Sequence, residues 1–335
     1  MKKSHLFFCV VFLLITSTKV FSQTSVPYVL EKIIPLSGDD GYDFLTIDSV
    51  NHRLYITHDT RLNVVDLNTE KEIAEISDLK GVHGVAIDNE TNNGFITDGD
   101  VNAIIVFDLG TFKKIATIPI TGKGPDAILY DPSSKKILAF NGDNNSASII
   151  DPVSLKQTGT IDLGGAPEFA VAGGNGKIYN NVEDKSVLNI IDSKTLMVIN
   201  KFPLAPCGKP TGLAFDATSN RLFTACRLNK GVTILDATSG NVIMTLPIGA
   251  GVDAVVYDPS TKLIFCSCGD GTTTVIKQES ADKYSVFQTI TTQAKAKTIA
   301  LDTKTHKIYL SVADRVEGTK KIVPGTFKLL VYKMQ

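Results

Sequence analysis

Seven times along this chain a turn follows a short apolar run, at Asp48, Asp88, Asp131, Gly173, Asp216, Asp258 and Asp302. The spacings are 40, 43, 42, 43, 42 and 44 residues. Residues 208–248 show the unit clearly: TGLAF, RLFTAC, GVTIL and NVIMTLPI, separated by DATSN, RLNK and DATSG. Each run is of strand length, rich in β-branched and aromatic residues, and without a helical period. One such meander has nowhere to bury its two faces. Repeated at a period of 40–45 residues with four strands per unit, it becomes a ring of blades, each covering its neighbours. The expected fold is all-β: a seven-bladed β-propeller of four-stranded antiparallel blades.

The ends of the repeat array complement each other. Residues 28–36, YVLEKIIPL, resemble the fourth strands KIATIPI, VINKFPL and VIMTLPI, whereas the seventh repeat runs only through its third strand to Gln335. The N-terminal strand is therefore expected to be the outer strand of blade 7, closing the ring and removing an open edge. The propeller domain spans 23–335.

Residues 1–22, MKKSHLFFCVVFLLITSTKVFS, carry a basic start, a short apolar run and small or branched residues at Val20 and Ser22. This is the pattern of a secretory signal peptide cleaved before Gln23, its run too short for a membrane span. Cys9 has no lipobox ahead of it. The expectation is a secreted product in a bacterial periplasm, with no membrane span, acting as a monomer. Removing the segment takes away Lys2, Lys3 and Lys19 and no acid, moving the formal net charge from −1 to −4. An acidic balance argues against phosphate-backbone binding, so nucleic acid is not an expected partner.

The Asp residues that precede the first turn of each repeat, and Asp66, Asp108, Asp151, Asp192 and Asp236 in the second, are read as turn caps. No GxSxG elbow, phosphate loop or HExxH motif is present. Cys266 and Cys268 alternate to one side of a strand and read as small core residues, with a thiolate metal site as the alternative. Cys207, in the loop entering blade 5, and Cys226, ending that blade's second strand, come to the same end of the blade and are expected to form a disulfide.

Function is sought where the loops entering each blade meet the channel. Five residues before each turn stand Asp43, His83, Asp126, Glu168, Thr211, Asp253 and Lys297. Strand alternation carries them on from a buried apolar face to the rim of the central channel. His58, Asp98 and Asn141 end the second strands beside them, and Asn141 joins the expected ligand-binding mouth. Asp43, His58 and His83 lie on adjacent blades and have metal-ligand chemistry, so a divalent Ca, Mg or Zn is the cofactor to consider. The opposing reading is that each polar group satisfies loop N–H groups.

The second strands YITH, FITD and FTAC resemble the Tyr-Val-Thr-Asn repeat of the YVTN propellers. GVHGVAID, GPDAILYDP, GGAPEFAV, VEDK, PLAPCGKPTGLAFD, PIGAGVDAVVYDP and VPGTFKLLVY are similar to the exported YncE-like branch. The resemblance covers essentially the whole mature chain and implies the propeller fold. Single-stranded DNA binding is associated with one branch, but this chain has no Trp and no aromatic-plus-basic stacking platform, so that activity is not carried over. Two functions follow. One is a binding or scaffold propeller that takes a small molecule or protein at its polar mouth. The other is a metal-assisted lactonase or lyase at the same mouth, an expectation resting on fold analogy.

Overall fold

Each run between turns pairs with the next, and the pairing stops where the next repeat begins. The computed structural model describes residues 27–335, and within them seven four-stranded antiparallel sheets follow one another along the chain. The expected leader, residues 1–22, and its cleavage point lie outside the described residues. Strands are lettered a to d from the channel outward. The a strands are Leu45–Asp48, Val82–Asp88, Pro125–Asp131, Pro167–Ala172, Pro210–Asp216, Val252–Asp258 and Ala300–Asp302. The a strands of adjacent blades touch around the ring.

Turn chemistry sets the strand ends. Asp48 accepts the backbone N–H groups of Val50 and Asn51 at 3.0 and 3.1 Å. Asp66 does the same for Asn68 and Thr69 at 3.1 and 2.7 Å. Burial is achieved between blades rather than within them. Tyr55, Leu62 and Val64 of blade 1 pack with Val85, Ile105 and Phe107 of blade 2, and similar clusters join each later pair. No blade can bury its faces alone, which is why the repeat must continue until it closes.

Closure falls to the N-terminal strand Tyr28–Pro35. It pairs antiparallel with Lys328–Met334, from Tyr28 opposite Met334 to Pro35 opposite Lys328. Tyr28 is 1% exposed, meets Phe265 edge-on at 4.9 Å and donates its hydroxyl to the carbonyl of His306 at 2.7 Å. The pairing of every outer strand is interrupted by a register shift, as between Val64 and Val65 or Val275 and Ile276. Such bulges twist a free edge away from regular pairing with another chain.

Candidate functional site

The residues counted toward the channel do not sit on regular strand. In blades 2 to 6 the a–b register shifts at the start of strand a, between Val82 and Val85, Pro125 and Ile128, Pro167 and Ala170, Pro210 and Leu213, and Val252 and Ala254. His83, Asp126, Glu168, Thr211 and Asp253 all fall within these irregularities. Simple alternation through a continuous strand is thus replaced by a bulge that re-aims one side chain per blade. The backbone at these points is held from the neighbouring blade. Thr57 donates to the carbonyl of His83 at 2.5 Å, Thr97 to Asp126 at 2.7 Å, Asn181 to Thr211 at 2.9 Å and Ser267 to Lys297 at 2.5 Å.

Six of the seven ring positions are ionisable, and a charge network joins all of them but Glu168. His83 Nδ1 donates to Asp43 Oδ2 at 2.8 Å and stands 3.7 Å from Asp126 Oδ1. Lys297 bridges Asp43, at 3.4 Å, and Asp253. Arg227 in turn bridges Asp253 and Glu183, the latter at 3.2 Å. The hydrogen bond to Asp43, aided by the Asp126 charge, raises the His83 imidazole to about 9, so it is a cation at neutral pH. Burial works to raise Asp43, but its bonds from His83 and Lys297 outweigh it and hold the carboxyl below its usual range.

Asp126 and Glu168 are treated differently. Asp126 Oδ1 makes no hydrogen bond, and burial plus the Asp43 charge push the carboxyl up to about 6. Glu168 has no ion-pair partner among the described residues, and burial plus the Asp126 charge lift it to about 8. The mouth holds five acids (Asp43, Asp126, Glu168, Glu183, Asp253) against three bases (His83, Arg227, Lys297), and the surplus lies at blades 3 and 4.

Beneath the charges the channel has a floor. Phe44 of blade 1 and Phe169 of blade 4 stack across it, with ring centroids 4.6 Å apart and planes at 28°. Each directly follows a mouth acid, Asp43 and Glu168. The mouth is therefore a basin of carboxylates over an aromatic base. A recess of about 150 Å³ opens beside Asp43 and His83, walled by Gly41, Tyr42 and Asp59.

Two residues expected at the mouth face elsewhere. His58 is fully buried, stacked on Phe327 at 4.1 Å, with Nε2 against the carbonyl of Asp40 at 2.8 Å. Asn141 is also buried and donates to Ser146 and Ser148 of its own blade at 3.0 and 3.1 Å. Both end strand b and point to the entry loop of their own blade, where Gly38 and Gly122 leave room for them. The preceding residue of the strand points to the next blade. The trio of potential metal ligands is consequently Asp43, His83 and Asp126, with ligand atoms within 4.8 Å of one another, rather than Asp43, His58 and His83. Thr211 is buried and donates to the Val252 carbonyl at 3.3 Å, outside the charge network.

Arg227 and Glu183 were not among the expected residues. Each stands one position past the end of strand b, so counting one residue into the b–c loops would have found them. Phe44 and Phe169 each stand one position after a ring acid, but their stacking across the channel has no signal in the sequence. Cys207 and Cys226 are bonded in blade 5, with Cα atoms 5.0 Å apart. Cys266 and Cys268 are free and buried, and burial pushes both thiols up, away from the thiolate that a metal needs.

Ring and mouth together define the class: a seven-bladed β-propeller with an acidic basin at one end of its channel. No family model matches the chain. It is 24% identical over 243 residues to Antigen Lp49 of Leptospira interrogans serogroup Icterohaemorrhagiae serovar copenhageni, covering 70% of this chain and 50% of the antigen. The chain thus spans about half the length of that curated relative. A chain in the crystal structure of a mitotic checkpoint complex superposes with a TM-score of 0.76 over 98% of both chains at 12% identity. A chain of Kuenenia stuttgartiensis hydrazine synthase matches 72% of this chain and 97% of its own length, with a TM-score of 0.53 at 15% identity. At these identities the likeness is one of fold. Among the described residues no helix is long and apolar enough to cross a membrane.

Proposed function

We propose that this propeller is an exported binding protein whose channel mouth takes a positively charged group, an ammonium or guanidinium of a small molecule or of a partner protein. The observation that carries this reading is Asp126 beside Glu168. These two carboxyls lie on adjacent blades without a cation in hydrogen-bond contact: His83, 3.7 Å from Asp126, donates to Asp43, and Lys297 and Arg227 pair with Asp43, Asp253 and Glu183. An arriving cation stabilises both carboxyls in their ionised form, displacing the proton that burial and the Asp126 charge keep on Glu168. The aromatic base next to Glu168 suits the apolar body of an organic cation. The similarity to a spirochaete antigen and the YVTN-like repeats support a binding or scaffold role, and the N-terminal leader pattern supports export.

The test is a thermal melt of the wild type and of Asp126→Asn/Glu168→Gln, with and without spermidine, arginine amide, Ca²⁺, Mg²⁺ and Zn²⁺. A cationic ligand stabilises the wild type and not the double variant. If none of these shifts the wild-type melt, the reading fails.

A second reading, a metal-assisted lactonase or lyase, draws on the 4.8 Å grouping of Asp43, His83 and Asp126. A metal there must displace the proton that Asp43 stabilises on His83. Metal analysis of the untagged protein separates the two readings.

A further inference from the structure

The face opposite the mouth carries the a–b turns. Six of its seven blades place an Asp at the turn, and each carboxylate accepts backbone N–H groups of its own turn. Blade 4 has Gly173 instead, within the turn GGNG. There the turn is held by the Gly173 N–H to the Lys177 carbonyl at 2.8 Å and by Lys177 N–H to Asn175 Oδ1 at 3.2 Å. Gly174 and Gly176 have φ of +68° and +77°, a conformation that favours glycine, and open space where a Cβ would stand, so no side chain of the turn fills the ground above it. A cleft of about 500 Å³ occupies that ground between blades 3 and 4.

Its walls carry lysines, hydroxyl and amide side chains and one carboxylate, Asp192. Lys136, Lys177 and Lys194 line it, together with Ser133, Asn175 and Ser193. Lys136 is held by Asp151 at 2.6 Å. Lys177 is in register with Asp192, as Lys136 is with Asp151 in its blade, yet neither Lys177 nor Lys194 has an ion-pair partner among the described residues. Asp192 spends Oδ1 on its own turn, accepting from Lys194 N, Thr195 N and Thr195 Oγ1. Asp131 is likewise turned onto its own loop, accepting from Ser134 N at 3.0 Å. Ser193 is 2% exposed and its Oγ has no hydrogen-bond partner, a cost that a native fold rarely leaves standing without a ligand or water.

We propose that this cleft binds a phosphate ester whose remainder carries hydroxyl groups, a sugar phosphate in class. Lys177 and Lys194 take the phosphate as mobile cations. The hydroxyl and amide side chains, including the unpartnered Ser193 Oγ, match the polyol. No aromatic ring lines the cleft, which disfavours a nucleobase. The cleft is large for inorganic phosphate alone. This site is independent of the mouth, being at the other end of the blades.

The experiment is calorimetric titration of the wild-type protein with glucose 6-phosphate, inorganic phosphate, glucose and glucuronate. Glucose 6-phosphate is expected to bind best, phosphate more weakly and glucose not at all, with affinity falling as salt rises. Lys177→Gln and Lys194→Gln should each weaken glucose 6-phosphate by about tenfold, with melts like wild type because both side chains reach solvent. Asp126→Asn, at the opposite face, should leave binding unchanged. No binding of glucose 6-phosphate, tighter binding of glucuronate, or binding indifferent to both lysines would overturn the proposal.

Discussion

The hydroxyl of Thr57, at the end of strand b in blade 1, donates at 2.5 Å to the backbone carbonyl of His83, the mouth residue of blade 2. Thr97, Asn181 and Ser267 repeat the contact at 2.7, 2.9 and 2.5 Å. Blade 7 reaches blade 1 through Thr298, which donates to the Asp43 carbonyl at 2.6 Å. In blades 1 and 2 the Thr of the YVTN-like pattern thus fastens the bulges that present His83 and Asp126. Thr57→Val keeps the shape and removes the donor that the His83 carbonyl accepts. It should cost about 1–2 kcal/mol, read by urea unfolding. A cost near zero would mean that the bulge holds without its neighbour.

Proton uptake at the mouth gives the fold a definite pH dependence. The His83 imidazole is raised from 6.5 to about 9, Glu168 from 4.5 to about 8 and Asp126 from 3.8 to about 6. In each interval the folded protein binds more protons than the unfolded chain, so stability falls as pH rises. For His83 the contribution is complete below 6.5 and lost through about 9. Asp43 and turn caps such as Asp66, depressed in the fold, act oppositely, and their stabilisation is lost only in acid. The melting temperature should therefore peak on the acid side of neutrality and decline toward about pH 9. Glu168→Gln should flatten the decline. A melt that rises from pH 5 to 9 would contradict the assignment.

Ring closure rests on the N-terminal strand. Tyr28→Ala removes the ring that meets Phe265 and the hydroxyl bonded to the His306 carbonyl, and should cost about 3–5 kcal/mol. Deletion of residues 23–37 should lower the melt further. An unchanged melt in the deletion would show that blade 7 does not need its outer strand.

The Cys207–Cys226 bond closes 19 residues between the entry loop and strand b of blade 5, worth about 3 kcal/mol of loop entropy. Thiol labelling of the denatured, unreduced protein without its leader should find only Cys266 and Cys268. Four labelled cysteines would refute the bond.

Much of the fold was legible because turn chemistry repeats at fixed spacing. Asp48, Asp88, Asp131, Asp216, Asp258 and Asp302 mark the same turn in six blades, and residues 28–36 read as a fourth strand without its blade. The ring positions were legible by counting back from those turns. The bulge beneath them was not, since a register shift leaves no composition signature. Without it, His58 and Asn141 looked like neighbours of the channel, although the last residue of strand b faces its own entry loop. Arg227 and Glu183 could be counted as the residues one past strand b, but their pairing across blades depends on the ring being closed. The stack of Phe44 on Phe169 joins opposite blades, a contact no local pattern announces.

On the proposed reading the mouth takes a cation through Asp126 and Glu168. Titration calorimetry with spermidine at neutral pH, in two buffers of different ionisation enthalpy, tests it most directly. Glu168, raised to about 8, holds a proton there, so binding should release protons. Asp126→Asn/Glu168→Gln should abolish both the binding and the release. Absence of binding to the wild type, or binding to the double variant with the same proton release, would contradict the account.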